Sequence, residues 1–209
     1  MTIFDFSQVP SELLKVIPEA GPYVNAGILH NLGLCKTNDG FINTGLETDP
    51  AIAAENVLSF SRKAESNGIL PKGSVDILNE ALTKFISSNS FSEGCKVWND
   101  YLNIYNKDDQ YKDTMLIAVL SIGNYSSQFW TYAIESWTSN ETQNAQNKKF
   151  KIPRWLQVVC SDLTGALSGA QIGLEVSAAT GVGAGVGAVV GGVIGGVGAS
   201  VAFASSGDK

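Results

Sequence analysis

Residues 165–198 read GALSGAQIGLEVSAATGVGAGVGAVVGGVIGGVG and hold 12 of the chain's 22 glycines. No charged residue lies between Glu175 and Asp208. Each glycine inside a helix costs about 1 kcal/mol relative to alanine, so a stretch this rich in glycine needs a compensating interaction. Glycines four residues apart share one helix face, and a bare face lets a second backbone approach closely. The stretch therefore predicts helices that pack through glycine faces.

Nine of these 12 glycines fall into three ridges with four-residue steps, which are the predicted sites of helix packing or membrane contact. The ridges are Gly165, Gly169 and Gly173; then Gly183, Gly187, Gly191 and Gly195; and, beside the second ridge, Gly192 and Gly196. Large apolar residues such as Val189, Val193 and Val197 lie between them. Such a helix has one bare face and one face that suits either lipid or a protein core.

The length of the stretch allows two helices, over about residues 153–180 and 183–205. Each would measure roughly 35 to 40 Å, enough to cross a hydrocarbon core of about 30 Å. The second contains no charge, whereas the first would bury Asp162 and Glu175 in lipid. The lipid-compatible length favours membrane association. Intramolecular packing in a soluble protein and low-complexity sequence without fixed structure are the alternatives.

Residues 1–138 predict a helical domain. Apolar residues recur at three- and four-residue steps, most clearly between Val75 and Ile86, and strand-like alternation is hard to find. Asp49 and Pro50 open a helix that Gly68 closes, and Gly123-Asn124 is expected to separate two further helices. A polar and basic linker, residues 139–152, leads to the hairpin at 153–206. The predicted fold class is all-α, a helical N-terminal bundle followed by a glycine-zipper helical hairpin.

Catalytic and metal chemistry lack the necessary residues. His30 is the only histidine, so a two-histidine metal site is excluded, and a Cys/His dyad would have to use Cys35. A structural histidine is the favoured interpretation. The glycine-rich stretch is not a phosphate loop, because no lysine lies between Lys151 and Lys209 and the GxGxxG spacing never occurs. We expect no enzymatic activity, no cofactor and no metal.

The charge distribution argues against a nucleic-acid partner and favours an anionic membrane surface. A net charge of -6 opposes binding to phosphate backbones, so no nucleic-acid partner is expected. Lys148, Lys149, Lys151 and Arg154 directly precede the glycine-rich stretch, where an anionic membrane surface would attract them. A solvated linker is the alternative interpretation of these four residues.

The cysteines and the N-terminus predict the site of synthesis. Cys35, Cys95 and Cys160 are odd in number and match no metal-binding spacing, so we expect them to be reduced and buried. The first residues, MTIFDF, contain no basic region and no apolar run. We expect synthesis in the bacterial cytoplasm without a cleaved signal peptide, followed by membrane association or leaderless secretion.

Residues 161–173, SDLTGALSGAQIG, and the later GAVVGG run resemble bacterial glycine-zipper proteins. They are similar to a group of uncharacterised helical proteins, common in Bacteroidetes, that pairs an HN-x-x-L element with an A-D-x-x-G-A-x-x-G-A tail. Residues 30–34, HNLGL, form the first element, and Ser161 stands where the tail has alanine. A weaker similarity links the stretch to the glycine-rich segments of class II bacteriocins and to the Ala/Gly-rich hairpin of pore-forming colicins.

The uncharged 32-residue run and its stacked glycine ridges lead us to expect a non-enzymatic, membrane-associating protein of the pore-forming or toxin-effector type. Its partners would be membrane lipid and further copies of the chain, joined through the glycine ridges. The alternative is a soluble helical interaction module whose glycine-rich hairpin packs intramolecularly.

Overall fold

The computed structural model describes residue 23 and residues 26–37, 49–139, 146–180, 188, 191–193 and 195–196. These residues are 82% helical and include no strand, which confirms the all-α class. Six helices are delimited within these described ranges. They are α1 (Ala26–Thr37), α2 (Pro50–Ser66), α3 (Ser74–Ile86), α4 (Phe91–Tyr105), α5 (Met115–Ser139) and α6 (Gln146–Thr180).

The helix ends of the bundle follow from local hydrogen bonds. The Asp49 carboxylate accepts a hydrogen bond from the Ala51 amide at 2.9 Å and caps α2. Beyond its other end, Gly68 adopts a φ of 71°, as the sequence predicts for a helix-terminating glycine. Glu65 near the end of α2 accepts from the amides of Gly73 and Val75 at 3.2 and 3.0 Å. This carboxylate therefore caps the start of α3 and fixes the turn between the two helices.

One expected break is wrong, because α5 runs through Gly123-Asn124 as a single helix. Gly123 is buried under the indole of Trp98: a Cβ at this position would lie 2.7 Å from the Trp98 Cδ2 atom. Tertiary packing thus compensates for the poor helix propensity of glycine. Helix α6 begins at Gln146, so residues 146–152, which we expected in the linker, are helical and Pro153 lies inside the helix.

Helices α5 and α6 form the centre of the bundle. Helix α5 packs against α1, α4 and α6, and α6 also packs against α2. Residues 115–124 and 155–160 are buried without exception, so both helices are enclosed on every side over these stretches. The Trp155 and Trp98 rings lie 5.0 and 5.2 Å from the Phe85 ring. A single core extends from Ala26 to Val193, so the predicted body and hairpin bury surface against one another.

The start of α4 gives a simple test of local stability. The Ser90 hydroxyl accepts from the Glu93 amide at 3.2 Å, and the Glu93 carboxylate accepts from the Asn89 amide at 2.8 Å. We expect Ser90→Ala to lower the free energy of unfolding by about 1 kcal/mol, because it removes the helix cap. Chemical denaturation checks this, with the exposed Ser92→Ala as control. Equal stability of the two variants would contradict the capping role.

Candidate functional site

Two glycine ridges meet backbone to backbone. Gly191 and Gly195, which are helical, lie against Gly165, Gly169 and Gly173 of α6. A Cβ at Gly169 would overlap the Gly191 carbonyl oxygen and lie 2.9 Å from the Gly195 Cα, and a Cβ at Gly191 would lie 2.8 Å from the Gly173 Cα. The two segments are antiparallel, because the lower number of one ridge faces the higher number of the other. We call residues 188–196, as far as they are described, the glycine strap.

The third ridge points into the bundle. A Cβ at Gly192 would lie 2.9 Å from the Met115 Cε atom of α5 and 3.1 Å from the Ala166 carbonyl oxygen of α6. A Cβ at Gly196 would lie 2.9 Å from the His30 Cδ2 atom and 3.2 Å from the Asp162 carbonyl oxygen. The strap therefore contacts α1, α5 and α6 at once, and glycine stands at contacts where a Cβ would make neighbouring atoms shift.

Gly183 and Gly187 lie outside the described residues, as does most of the second predicted membrane span. Within the part of the chain that is described, no helix is long and apolar enough to cross a membrane. The prediction of a span over residues 153–180 is thus not supported. These residues belong to α6, whose charged Asp162 is fully buried in the bundle.

A polar cluster lies beneath the strap where α1, α5 and α6 meet. The Asp162 Oδ2 atom accepts hydrogen bonds from the Ser126 hydroxyl at 2.5 Å and the Trp130 indole N–H at 3.0 Å. The His30 Nε2 atom lies 3.6 Å from the same oxygen, which is ion-pair contact but too long for a hydrogen bond. His30 and Asp162 both have 0% exposed side chains. The cluster ties the first, fifth and sixth helices together.

Asn31 orients this cluster from the side of α1. Its amide nitrogen donates to the Tyr125 carbonyl oxygen at 2.8 Å, and its amide oxygen lies 3.2 Å from the His30 Nδ1 atom. The Asp162 Oδ1 and His30 Nε2 atoms are buried, and neither has a hydrogen-bond partner among the described residues. A partly satisfied buried network carries a large energetic penalty for each unpaired group. The cluster is therefore a costly feature of an otherwise apolar core.

Cys160 lies two residues before Asp162 in α6, and its thiol is unreactive. Burial raises the pKa of its thiol to about 12, and the nearby Asp162 carboxylate adds to the rise. A thiol with this pKa stays protonated and is a poor nucleophile at neutral pH. Among the described residues, no three His, Cys, Asp or Glu side chains converge into a metal site.

A shallow groove of about 260 Å³ lies between α3 and α4, on a different part of the surface. The Lys84 ammonium donates to Glu80 at 2.7 Å and to the Tyr101 hydroxyl at 3.0 Å. This pairing raises the pKa of Lys84 and lowers that of Glu80. Asp100 on the groove wall pairs with Lys96. The charged side chains of the groove are thus already paired, so the groove presents no unbalanced charge that would attract a charged ligand.

Sequence reasoning located part of this site. It singled out the glycine ridges and, through the resemblance, the elements that contain His30 and Asp162; the structure brings those two residues together. It gave no role to Ser126 or Trp130. The available signal was Asp162 itself, the only charged residue between Arg154 and Glu175, because a lone carboxylate in an apolar stretch needs buried donors.

Comparisons with protein-family models, with curated proteins and with solved structures give no match. The resemblance to glycine-zipper proteins therefore stays a prediction that these comparisons leave untested.

Substitution at Gly169 tests whether the two glycine ridges are in direct backbone contact. Alanine favours the helix by about 1 kcal/mol, but its methyl group would overlap backbone that cannot rotate away. We expect the overlap to dominate and Gly169→Ala to destabilise the chain by about 1 to 3 kcal/mol. Ile172→Leu, a change of shape on the exposed side of the same helix, should shift the melting temperature little. A Gly169→Ala chain as stable as the parent would rule out the close contact.

Proposed function

We propose that this chain is a non-enzymatic helical interaction module in which the glycine strap packs intramolecularly and completes the bundle. The contact of Gly191 and Gly195 with the α6 ridge carries this proposal. Because the contact is made within one chain, the ridge residues already have a partner before any lipid or second copy arrives. The strap gains dispersion contacts from close backbone approach, which offset the poor helix propensity of its glycines.

Three observations support a non-enzymatic role. The only histidine, His30, has a fully buried side chain, so a substrate has no access to it in this conformation. The Cys160 thiol is buried and protonated. The groove between α3 and α4 contains paired charges and no histidine or cysteine. The side chain of Cys35, the other half of the dyad considered from sequence, lies outside the described ones.

Removing the strap tests the module. We expect truncation after Thr180 to lower the free energy of unfolding by about 3 kcal/mol or more, because Ala188 and Val193 leave the core and the surfaces beneath them are exposed. Thermal unfolding should then begin about 6 to 12 °C lower. A chain that lacks only residues 207–209 is the matched control. An unchanged melting temperature after truncation at Thr180 would count against the proposal.

Membrane association is the second candidate, favoured by the 32-residue run from 176 to 207 without a charge. Glycine ridges pack by dispersion and weak hydrogen bonds, and these do not depend on water, so the same faces suit a bilayer or a second copy of the chain. In this candidate the bundle stores the strap, and its release exposes the uncharged run to lipid.

Gly169→Leu distinguishes the two candidate functions. Its side chain would occupy the surface of α6 on which the strap packs, while the sequence of the strap stays unchanged. If the strap enters membranes, this variant should float with lipid vesicles to a greater extent than the parent chain. If the strap is only a packing element, the variant should melt at a lower temperature and stay in the dense fraction. Ile172→Leu controls for general changes in α6. The membrane candidate loses its basis when neither the parent nor Gly169→Leu floats with neutral or anionic vesicles.

A further inference from the structure

The protonation of His30 follows from the hydrogen bonds of Asn31. The Tyr125 carbonyl oxygen can only accept, so the Asn31 group facing it at 2.8 Å is the NH₂ group. The Asn31 amide oxygen then faces the His30 Nδ1 atom at 3.2 Å. An amide oxygen is an acceptor, and the His30 Nδ1 atom must therefore carry a proton. This fixes one of the two ring nitrogens without any assumption about the other.

The other ring nitrogen faces a carboxylate. In a neutral imidazole with a proton on Nδ1, the Nε2 atom would present a lone pair to the Asp162 Oδ2 atom, 3.6 Å away. Two acceptors would then oppose each other in a dry interior, where electrostatic interactions are strong. A proton on Nε2 changes this repulsion into attraction.

The carboxylate is the less suitable place for that proton. Its Oδ2 atom already accepts from the Ser126 hydroxyl and the Trp130 indole N–H. A proton on its Oδ1 atom would have no acceptor in the described part of the core, where this buried atom has no hydrogen-bond partner. Hydrogen-bond donors around a carboxyl group favour its ionised form.

We propose that His30 and Asp162 form a buried imidazolium–carboxylate latch that joins α1 to α6 beneath the glycine strap. The strap closes directly over it, since a Cβ at Gly196 would lie 3.2 Å from the His30 Nε2 atom. Of the other groups around the pair, Cys160 is a neutral thiol, while Ser126 and Trp130 contribute neutral donors. The inference rests on the proposed packing role of the strap.

The buried ion pair lowers the free energy needed to open the closed strap, compared with apolar residues at the same place. Two charges without full hydrogen bonding pay a desolvation cost while the strap excludes water. When the strap leaves, the His30 Nε2 atom beneath Gly196 becomes open to water and gains a hydrogen-bond partner. The pair therefore aligns the helices in the closed state and lowers the free energy needed to open it. The pair is thus a conformational device that lets the strap pack in the closed state and lowers the free energy of its release.

Ring-nitrogen NMR of labelled protein tests the latch without ambiguity, because the chain has one histidine. We expect protons on both His30 nitrogens in the parent chain at neutral pH. In Asp162→Asn the side chain can still accept from Ser126 and Trp130 but carries no negative charge, so the attraction that holds a second proton on the His30 ring is removed. The imidazole should therefore lose its Nε2 proton in this variant. An unprotonated Nε2 atom in the parent, or a doubly protonated ring in Asp162→Asn, would overturn the proposal.

Hydrogen exchange at the strap amides tests the consequence for opening. We expect exchange at Gly192 and Gly196 to become about tenfold slower in the neutral double variant His30→Gln, Asp162→Asn, because the closed state no longer holds unpaired charges while residue 162 still accepts from Ser126 and Trp130. Asp162→Ala, which leaves the Ser126 hydroxyl and the Trp130 indole N–H without their shared acceptor, should make exchange faster. Unchanged exchange in both variants would contradict the latch. If the double variant fails to fold, the NMR comparison still decides the matter.

The same measurements separate the latch from the function on which it rests. Strap amides that exchange at unprotected rates in the parent chain would contradict the intramolecular packing itself. Protected strap amides together with a neutral His30 would contradict the latch alone.

Discussion

The close approach of Gly169 to Gly191 is the contact on which the arrangement of this molecule depends. At this point two backbones touch with no side chain between them, and a single methyl group on either residue would overlap the opposite backbone. This contact sets the distance between α6 and the strap, and the distance in turn places Gly192 on Met115 and Gly196 on His30. A dispersion interaction thus positions the strap, although its glycines oppose helix formation.

The polar cluster supplies the register that glycine packing lacks. Ridges with a four-residue repeat can slide by one step and still meet, since each step presents another glycine. Asp162 cannot slide with them, because Ser126 and Trp130 donate to one of its oxygens from fixed positions on α5. A buried polar contact costs stability but specifies one arrangement among several of similar packing energy. We infer that the two features are complementary: the ridges give contact and Asp162 gives position.

The sequence predicted those parts of the fold that depend on local chemistry. Asp49, Gly68 and the apolar spacing of α3 act through neighbours in the chain, and the structure shows the expected helices there. The break at Gly123 failed because a distant residue, Trp98, fills the space above that glycine. For the same reason, the meeting of His30 with Asp162 could not be derived from spacing: 132 positions separate them, and only the packing of α1 and α6 around α5 joins them.

The two candidate functions differ in the energy of one step, the departure of the strap. If the strap stayed packed permanently, all the residues beneath it should stabilise the closed state, and apolar residues beneath Gly196 would stabilise it most. The site beneath Gly196 instead contains the His30 imidazole and lies next to the Asp162 carboxylate, and each has one buried atom with no hydrogen-bond partner among the described residues. Such groups are stable in water and costly when dry, so they weaken the closed state without disturbing the open one. The dehydration of His30 and Asp162 in the closed state therefore lowers the free energy needed to open the strap, and the size of this term is what distinguishes the two proposed functions.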